Sequence, residues 1–280
     1  MTADTTLSTF VASDGDNLAV QDWPLDPGQP LRGVVIIVHG LGEHAGRYDH
    51  VARRLNHWGF AVRSYDQYGH GESGGPRGGL TSDDRLLDDL ADIVDSTRSR
   101  MKKGTPLIVL GHSMGGAVAA LFVATAVREV DALILSSPAL DPGLNAFQKF
   151  LLSTLPKIAP NLRVGNGLDV MKISHDRAVI DDYKKDRLIH DRISARLGRF
   201  IANAGAATLA AAPRWKLPTL LMYAGADTLV NPQGSRRFSE IAPKEAVTTR
   251  CFDVLYHEIF NELEAEPVFS ELKVWLDARF

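Results

Sequence analysis

A serine flanked by glycines is the first residue whose surroundings suit covalent chemistry. Ser113 lies in GHSMG, which matches the G-x-S-x-G pattern of a nucleophile elbow. The apolar run PLIVL precedes it, and GGAVAALFVATAV, which favours a helix, follows it. A serine on a sharp turn between a buried strand and a helix exposes its hydroxyl at the edge of a sheet, where the helix dipole favours a developing oxyanion. The sequence therefore predicts that Ser113 is a nucleophile.

A second match to the same pattern, GESGG around Ser73, has different surroundings. Several loop residues separate Ser73 from the preceding strand-like run FAVRSY, and the segment GGPRGG after it cannot form a helix. A serine in such a loop has no elbow to hold it. We therefore interpret Ser73 as a turn residue.

The serine needs a histidine as base and a carboxylate that orients the histidine. In this kind of sheet the two partners follow the serine in the order acid, then histidine, each just after a strand. His257 follows the strand-like run RCFDVLY and is predicted to be the base, whereas His175 and His190 lie among charged residues and are predicted to lie on a solvated face. Asp227 ends LPTLLMYAGAD and is predicted to be the acid, and Asp253 is interpreted as a sheet-face residue within its strand.

An acyl-transfer site also needs two backbone N–H groups that bind the oxyanion. The residue after the nucleophile, Met114, supplies one. The second is expected from the loop HGLG after the strand GVVIIV, and Leu41 is the predicted donor because Gly40 and Gly42 leave its backbone free to point inward.

Metal and phosphate chemistry are weaker interpretations of the same residues. HEIFNE begins like a zinc-binding H-E-x-x-H motif, but Asn261 stands where the second histidine is needed. His39, His44 and His70 are interpreted as loop residues that bind backbone groups. GHGESGG lacks the lysine and the spacing of a phosphate-binding loop. No metal and no cofactor is expected.

Alternating strand and helix patterns must position these residues. Apolar β-branched runs such as GVVIIV are typical of strands buried on both faces, and their alternation with helices predicts a mostly parallel α/β sheet. The segment TSDDRLLDDLADIVDSTRSRM is expected to be a helix that opens with a Thr/Ser cap. The alternation stops near Pro138, and no buried strand is predicted from about 141 to 212. We expect a core of residues 1–140 and 213–280 and a helical cap of residues 141–212.

Length, charge and cysteine content restrict the class of protein. The chain has 280 residues, 45% hydrophobic residues and a formal net charge of −3, so it can bury a large core and nucleic acid is not an expected partner. Cys251 is the single cysteine, which excludes an intrachain disulfide. The first twenty residues show no signal-peptide pattern, and no apolar run approaches the ~20 residues of a membrane span. We expect a soluble cytoplasmic protein, at most peripheral to a membrane.

Longer motifs carry a resemblance to a known family. They are HGLGEHAGRYDHVARRL, DQYGHGESGG, GHSMGG, AGADTLVNPQGS and YHEIFNE. Over nearly the whole chain, the sequence resembles the monoacylglycerol lipase and lysophospholipase group of the α/β-hydrolase superfamily. The resemblance implies an eight-stranded core under a cap domain. It implies a triad of Ser113, Asp227 and His257, with Leu41 and Met114 as oxyanion donors, which agrees with the choice made from the residues.

The same resemblance implies a substrate class. It implies cleavage of monoacylglycerols to glycerol and free fatty acid through an acyl-enzyme, with lysophospholipase or broad carboxylesterase activity as alternatives that share every catalytic residue. The HGLGEH stretch disfavours a C–C bond hydrolase, and the presence of all three triad residues disfavours a non-catalytic binding protein. Glu43 and Arg47 either line a polar pocket for the glycerol head or form an i,i+4 pair at a helix start.

The cap offers one apolar helical face. Its members, at helical spacing, are Phe147, Phe150, Leu151, Leu155 and Ile158. Packing on the core is the favoured interpretation, and an acyl tunnel or a membrane-touching lid is the alternative. Lys149 and Lys157 either contact lipid head groups or lie on a solvent face. Acyl chain length and oligomeric state are left open by the sequence.

Overall fold

A computed structural model describes residues 5–141, 143 and 146–280, and of residues 146–151 it describes the backbone alone. In this part of the chain, strands form one large and one small sheet. The strands are β1 (Thr6–Val11), β2 (Asn17–Trp23), β3 (Gly33–Val38), β4 (Phe60–Tyr65), β5 (Leu107–His112), β6 (Ala132–Ser136), β7 (Arg163–Gly165), β8 (Arg192–Ser194), β9 (Thr219–Ala224) and β10 (Val247–Phe252).

The large sheet has eight strands in the order β1-β2-β4-β3-β5-β6-β9-β10. The hairpin β1–β2 and the pair β2–β4 are antiparallel, and every other neighbouring pair in this sheet is parallel. The prediction of a mostly parallel eight-stranded α/β sheet is therefore confirmed.

The central strands are apolar because both faces of the sheet are covered. All six residues of β3 are buried, and successive side chains point to opposite faces. Ile36 belongs to the hydrophobic cluster on one face, whereas Val35 and Ile37 belong to the cluster on the other. The strands that carry the candidate site thus lie between two packed layers.

Helices form these two layers and the insertion above the sheet. In the described chain they are α1 (Asp49–His57), α2 (Arg85–Arg100), α3 (Ser113–Ala124), α4 (Ala146–Ile158), α5 (Arg177–Lys185), α6 (Ala195–Ala211), α7 (Pro232–Ile241) and α8 (Glu266–Asp277). None of the helices in this described part combines the length and apolarity needed to span a membrane.

Helix α2 begins later than the sequence pattern predicts. The expected Thr/Ser cap at Thr81 is wrong, because the helix starts at Arg85 and its N-cap, Asp84, makes no side-chain capping bond. The buried guanidinium of Arg85 donates to Asp89 in the same helix at 2.8 Å and to Asp16 beyond β1 at 2.7 Å. This ion-pair cluster fixes the first turn at Arg85.

The last strand ends earlier than the pattern predicts. β10 stops at Phe252, so Asp253 follows the strand, is exposed and does not alternate within it. The backbone of Asp253 lies so close to Gly225 that a Cβ on that glycine would be 2.6 Å from its Cα. The chain therefore leaves the sheet here, and His257 lies in a loop five residues beyond the strand.

The insertion between β6 and β9 holds α4, α5 and α6 and one small sheet. β7 and β8 pair antiparallel, a feature that the sequence pattern does not reveal because β7 has only three residues and none of them is buried. Helix α6 packs against both α3 of the core and α4. Of the predicted apolar face, Phe147, Phe150 and Leu151, like Lys149, have side chains outside the described residues. The division into a core of 1–140 and 213–280 and a cap of 141–212 stays a prediction.

Candidate active site

Ser113 lies at the junction of β5 and α3, where the chain turns sharply. Its backbone has φ of +52°, the left-handed region that L-residues with a Cβ rarely adopt. Such strain at a polar residue between a buried strand and a helix is characteristic of a nucleophile elbow. The turn leaves Ser113 half-buried although all residues of β5 are buried.

Two glycines make this turn sterically possible. A Cβ on Gly111 would lie 2.5 Å from the carbonyl oxygen of Gly115, and a Cβ on Gly115 would collide with the carbonyl oxygens of Val38 and His39. Helix α3 can therefore approach the end of β3 only because these positions carry no side chain. This close approach brings the loop after β3 beside the serine.

The loop after β3 carries the predicted oxyanion donor. A Cβ on Gly40 would lie 3.2 Å from the Cβ of Ser113, so the loop runs directly against the elbow. The N–H of Gly40 donates to the carboxylate of Glu43 at 2.5 Å. The next residue, Leu41, lines one cavity together with Ser113 and Met114. Met114 is the second residue of α3, and N–H groups of a first helical turn have no partner within the helix.

The predicted acid and base are in contact. The Nδ1–H of His257 donates to Oδ2 of Asp227 at 2.6 Å, and both side chains are almost fully buried. The other carboxylate oxygen of Asp227 accepts the N–H groups of Leu229 at 2.8 Å and Val230 at 3.0 Å. The ring of His257 lies 4.8 Å from the ring of His112, the residue before the serine. With Nδ1 on the acid, Nε2 is the ring nitrogen free to act as base.

The charged forms of His257 and Asp227 stabilise each other. Burial alone would lower the pKa of His257, but the Asp227 carboxylate and its hydrogen bond raise it above the usual value of 6.5. Burial alone would raise the pKa of Asp227, but His257 and the backbone donors hold it below its ordinary value. Asp227 is therefore ionised, and the imidazole next to it is a stronger base than a free one.

A neutral histidine lies beside the predicted base. Burial, together with the nearby His257, lowers the pKa of His112 to about 4. Its Nδ1 lies 3.1 Å from the hydroxyl of Ser136. An uncharged ring at this position adds no positive charge that would oppose protonation of His257.

Glu43 and Arg47 belong to a buried ion-pair network. Arg47 donates to Glu43 at 2.5 Å and, through both terminal nitrogens, to the two carboxylate oxygens of Glu258 at 2.7 Å each. The hydroxyl of Tyr48 donates to Glu43 at 2.7 Å. The i,i+4 pair that the sequence left open is thus present, and the polar-pocket role stays a prediction.

The network is electrostatically stable although it is buried. Burial would raise the pKa of Glu43, but the positive charge of Arg47 lowers it to about 2. Burial would lower the pKa of Arg47, but Glu258 and Glu43 raise it well above its ordinary value. Glu43 and Arg47 are therefore both charged at neutral pH, as close opposite charges in a poorly solvated site favour.

The loop residues of the second serine motif have structural roles. The hydroxyl of Ser73 donates to the backbone oxygen of Asp66 at 2.5 Å and accepts the N–H of Ala19 at 2.8 Å, as the turn interpretation expects. His39 accepts the N–H of Gln67 at 2.9 Å. These side chains hold backbone groups together.

The other candidate histidines also hold local structure. His44 accepts the N–H of Gly46 and donates to Asp186 at 2.7 Å. The Nδ1 of His70 lies 3.1 Å from the backbone oxygen of Tyr68. Among the residues that the structure describes, no group of three or more His, Cys, Asp or Glu side chains is arranged to hold a metal ion.

One of the two histidines of the insertion departs from its predicted solvated position. The ring of His190 lies 4.7 Å from that of His70, and burial lowers the pKa of His190 to about 4. His175 stacks on Tyr256 at 3.7 Å and contacts Glu262 at 2.8 Å. The prediction of a solvated face is therefore wrong for His190, because the insertion packs onto the core loops there, whereas His175 is 42% exposed, as predicted.

An apolar cavity opens from the serine into the insertion. Its volume is about 310 Å³. Side chains of the oxyanion loop, the elbow, the insertion and the loop after Asp227 line it: Leu41, Ser113, Met114, Ala139, Leu152, Leu155, Leu162, Val164, Asn166, Leu168, Ile193, Ser194, Ala195, Gly198, Ile201, Leu229 and Val230. Leu155, predicted on the apolar face of the insertion, thus contacts the cavity, whereas Ile158 is 84% exposed.

Sequence reasoning missed Glu258. The motif YHEIFNE carries part of the family resemblance and lacks the second histidine of a zinc site, but neither comparison gives Glu258 a role. Its position directly after His257 was the available signal. Its partner Arg47 lies 211 positions away, and no local pattern predicts that contact.

Comparisons with known proteins agree with this geometry. Residues 29–264 match the Hydrolase_4 family, described as serine aminopeptidase, S33. The chain is 33% identical over 271 residues to the monoacylglycerol lipase of Mycolicibacterium smegmatis, covering 96% of this chain and 95% of that protein. It also spans 29% of the length of a longer abhydrolase domain-containing protein of Dictyostelium discoideum, with 29% identity.

Solved structures of monoacylglycerol lipases are also similar to this chain. The crystal structure of a monoacylglycerol lipase of Paleococcus ferrophilus superposes with a TM-score of 0.82 and 32% identity, over 99% of both chains. A soluble variant of the Saccharomyces cerevisiae monoglyceride lipase, in complex with a substrate analog, superposes with a TM-score of 0.88 and 26% identity, over 99% of this chain and 96% of that one. The chain therefore belongs to the Hydrolase_4 family and, within the α/β-hydrolase superfamily, to the monoacylglycerol lipase and lysophospholipase group.

Proposed function

We propose that this protein is a serine hydrolase that cleaves monoacylglycerols to glycerol and free fatty acid. The observation that carries the proposal is the apolar cavity that ends at Ser113 and is lined by both oxyanion-donor residues, Leu41 and Met114. A carbonyl carbon bound at the serine would place its acyl chain in this cavity. The sequence similarity to monoacylglycerol lipases supports the same substrate class.

The first chemical step is acylation. The hydroxyl of Ser113 attacks the ester carbonyl while Nε2 of His257 takes its proton, and Asp227 stabilises the imidazolium that forms. The N–H groups of Leu41 and Met114 bind the oxyanion of the tetrahedral intermediate. The imidazolium then gives its proton to the glycerol oxygen, which leaves.

The second step is deacylation. His257 takes a proton from a water molecule, which attacks the acyl-serine, and the fatty acid leaves as Ser113 regains its proton from the imidazolium. This sequence of steps uses the residues of this chain and water. The raised pKa of His257 suits both steps, because the same nitrogen acts as base and then as acid.

The cavity wall favours an alkyl chain over a polar acyl group. Burial of each methylene contributes ~0.8 kcal/mol to binding. Leu152, Leu155 and Ile201 supply much of the apolar wall from the insertion. We therefore expect kcat/KM to rise with acyl chain length until the chain fills the cavity.

We also propose that the cavity mouth contacts a membrane or micelle surface. Leu162 and Val164 line the cavity and are 49% and 50% exposed, and Ile158 is exposed nearby in sequence. Lys157 and Arg163 flank these residues in sequence and are exposed, and cations beside apolar side chains are common at lipid-contacting surfaces. The cytoplasmic location expected from the sequence stays a prediction.

Vesicle experiments test the membrane contact. Ile158→Asp should weaken sedimentation with anionic vesicles and slow turnover of vesicle-borne monoacylglycerol, while turnover of a soluble p-nitrophenyl ester stays unchanged. Val274→Asp, at an exposed apolar residue of α8, is the matched control. Equal behaviour of the two variants would contradict the contact.

A substrate panel tests the proposed reaction. Purified protein is assayed with monoacylglycerols, lysophosphatidylcholine and p-nitrophenyl esters of matched acyl chains, and Ser113→Ala is the control. The highest kcat/KM on monoacylglycerols supports the proposal. A preference for lysophosphatidylcholine or for simple esters would assign the lysophospholipase or carboxylesterase alternative instead.

A further inference from the structure

The side chain of Glu258, the residue after His257, forms a bidentate ion pair with Arg47. Both carboxylate oxygens accept a bond from Arg47 at 2.7 Å, and one also accepts the side-chain amide of Asn261 at 2.7 Å. The side chains of Arg47 and Glu258 are only 11% and 7% exposed. Two parallel N–H···O bonds fix orientation as well as distance.

The other end of the network is the oxyanion loop. Arg47 also donates to Glu43, whose second oxygen accepts the N–H of Gly40, the residue before Leu41. A continuous path of short contacts therefore runs from the peptide that precedes the predicted oxyanion donor to the residue that follows the base.

Three of the five N–H groups of the Arg47 guanidinium are engaged by carboxylates. One terminal nitrogen donates to both Glu43 and Glu258, and the other donates to Glu258. The ring of Tyr183, in α5, lies 4.8 Å from its central carbon and covers one face. Only the N–H of Nε and one N–H of the second terminal nitrogen are left for a glycerol hydroxyl.

We propose that the Arg47–Glu258 ion pair is a positioning device that sets the separation between the oxyanion loop and His257. The proposal rests on the proposed serine hydrolase chemistry, in which the two loops act on opposite sides of one reacting carbonyl. It assigns Arg47 and Glu258 a role through their neighbours, without contact to the substrate.

Catalysis is sensitive to such a separation. Misplacement of reacting groups by about 1 Å can cost ~100-fold in rate. The backbone N–H of Glu258 donates to Ile173 of the insertion at 2.8 Å, so the loop has another anchor and need not unfold when the ion pair is lost. Loss of the Arg47–Glu258 pair would then shift the loop that carries His257 without unfolding it.

Paired conservative variants test the proposal. Arg47→Lys keeps the charge but removes the bidentate geometry, and Glu258→Gln keeps the shape but removes the charge. The matched controls are Arg54→Lys and Glu266→Gln, because Arg54 and Glu266 form a bidentate pair with bonds of 2.9 and 2.7 Å on the exposed side of α1.

Three readouts are measured well below each variant's melting temperature. They are the rate of Ser113 labelling by a fluorophosphonate, kcat and KM on p-nitrophenyl butyrate, and kcat and KM on a monoacylglycerol. We expect labelling rate and kcat to fall up to ~100-fold for Arg47→Lys and Glu258→Gln, with KM little changed. The double variant should cost much less than the product of the two single effects.

The pH profile provides a readout that a purely structural role would not move. The groups that face the imidazole of His257 are Asp227, Glu258, Glu43 and His112. The carboxylates among them raise the pKa of His257, so Glu258→Gln should displace the acid limb of kcat/KM to lower pH. The control variants should leave the limb in place.

Other outcomes overturn the proposal. A rise of KM on monoacylglycerol alone, with labelling and ester turnover unchanged, would assign Arg47 to substrate contact. A lower melting temperature with unchanged kinetics and pH profile would make the pair only structural. If Glu258→Gln fails to fold, Asn261→Ala weakens the hold on the same carboxylate and should lower kcat in the same direction.

The proposed substrate and the proposed role of the ion pair can be refuted independently. A wild-type protein that reacts with the fluorophosphonate and cleaves p-nitrophenyl butyrate, but not monoacylglycerol, would refute the substrate and leave the ion-pair test intact.

Discussion

The Nδ1 atom of His257 lies 2.6 Å from a carboxylate oxygen of Asp227, with both side chains almost fully buried. The two residues stand 30 positions apart in sequence, after different strands. Their contact raises the pKa of the imidazole and lowers that of the carboxylate. It therefore decides the pH at which the base is available.

The acid limb of kcat/KM is the first prediction. His257 must be neutral to accept the serine proton, and its pKa is raised above 6.5, so the rate should fall as the pH drops through a value above 6.5. Asp227→Asn should displace this limb to lower pH and reduce kcat by ~10⁴-fold, the cost of the equivalent change in a Ser-His-Asp triad. Asp253→Asn, at an exposed residue near the same loop, is the control. A flat profile from pH 5 to pH 8 would contradict the role of His257.

Substitution of the elbow serine should separate activity from stability. Ser113→Ala and Ser113→Gly both remove the nucleophile, so ester turnover and fluorophosphonate labelling should disappear in each. At φ of +52° a side chain is strained, and glycine relieves a strain of about 1 kcal/mol that alanine keeps. Urea denaturation should therefore show Ser113→Gly to be more stable than Ser113→Ala. Equal stabilities would indicate that the turn relaxes around the Cβ.

The close approach of α3 to β3 predicts the effect of one methyl group. Gly115→Ala would place a Cβ against the carbonyl oxygens of Val38 and His39. Overpacking of this kind costs about 1–3 kcal/mol of unfolding free energy. It should also lower kcat, because Gly115 follows the predicted oxyanion donor. Gly165→Ala, whose Cβ would be 3.9 Å from its nearest neighbour, is the control, measured by urea denaturation and p-nitrophenyl ester hydrolysis.

The neutral His112 predicts a pH-dependent contribution to stability. Its pKa is about 4 when folded and near 6.5 when unfolded, so between these values the unfolded chain binds a proton that the folded chain does not. The stability that the residue contributes should therefore decrease as pH falls from 6.5 towards 4, by on the order of 3 kcal/mol. Unfolding free energies of wild type and His112→Gln, compared at pH 7 and pH 5, should converge at the lower pH. A constant difference would refute a neutral His112, and exposed His57→Gln is the control.

The cavity wall predicts a change in chain-length preference. Gly198 lies on α6 and lines the cavity, and a Cβ there would already be 3.0 Å from Leu152. Gly198→Leu should fill part of the acyl space, and each excluded methylene should cost ~0.8 kcal/mol, about fourfold in kcat/KM. Long-chain monoacylglycerols should be affected and p-nitrophenyl acetate should not. Ala207→Leu, on an exposed position of α6, is the control. An equal loss on short and long chains would contradict the assignment of this cavity to the acyl chain.

Features set by local pattern were predictable from the sequence. Apolar runs such as GVVIIV must be covered on both faces of a sheet. Their alternation with helical patterns along the chain therefore predicts the parallel sheet. Residues that follow such strands meet at one edge, and this places Asp227 and His257 together without any contact information. The elbow is equally local, since glycines and strand-turn-helix context surround Ser113.

Features set by contacts distant in sequence were not predictable. Helix α2 begins at Arg85, whose guanidinium pairs with a carboxylate beyond β1. The Thr/Ser pattern at Thr81 does not predict this ion pair. His190 is half-buried because the insertion packs on the core, although its neighbours in sequence are charged. Of the network around Arg47, only the Glu43 contact has a local spacing, and Glu258 lies 211 positions away.

The hydrogen bonds between the insertion and the loop of His257 have a consequence for protein engineering. Ile173 accepts the N–H of Glu258, the hydroxyl of Ser174 donates to the backbone oxygen of Asn261 at 2.8 Å, and His175 contacts Glu262. A chimera that exchanges residues 141–212 between relatives would replace one partner in each of these contacts. The exchangeable unit is therefore the insertion together with residues 256–262. An insertion grafted without that loop would leave His257 in a loop whose contacts come from a different protein.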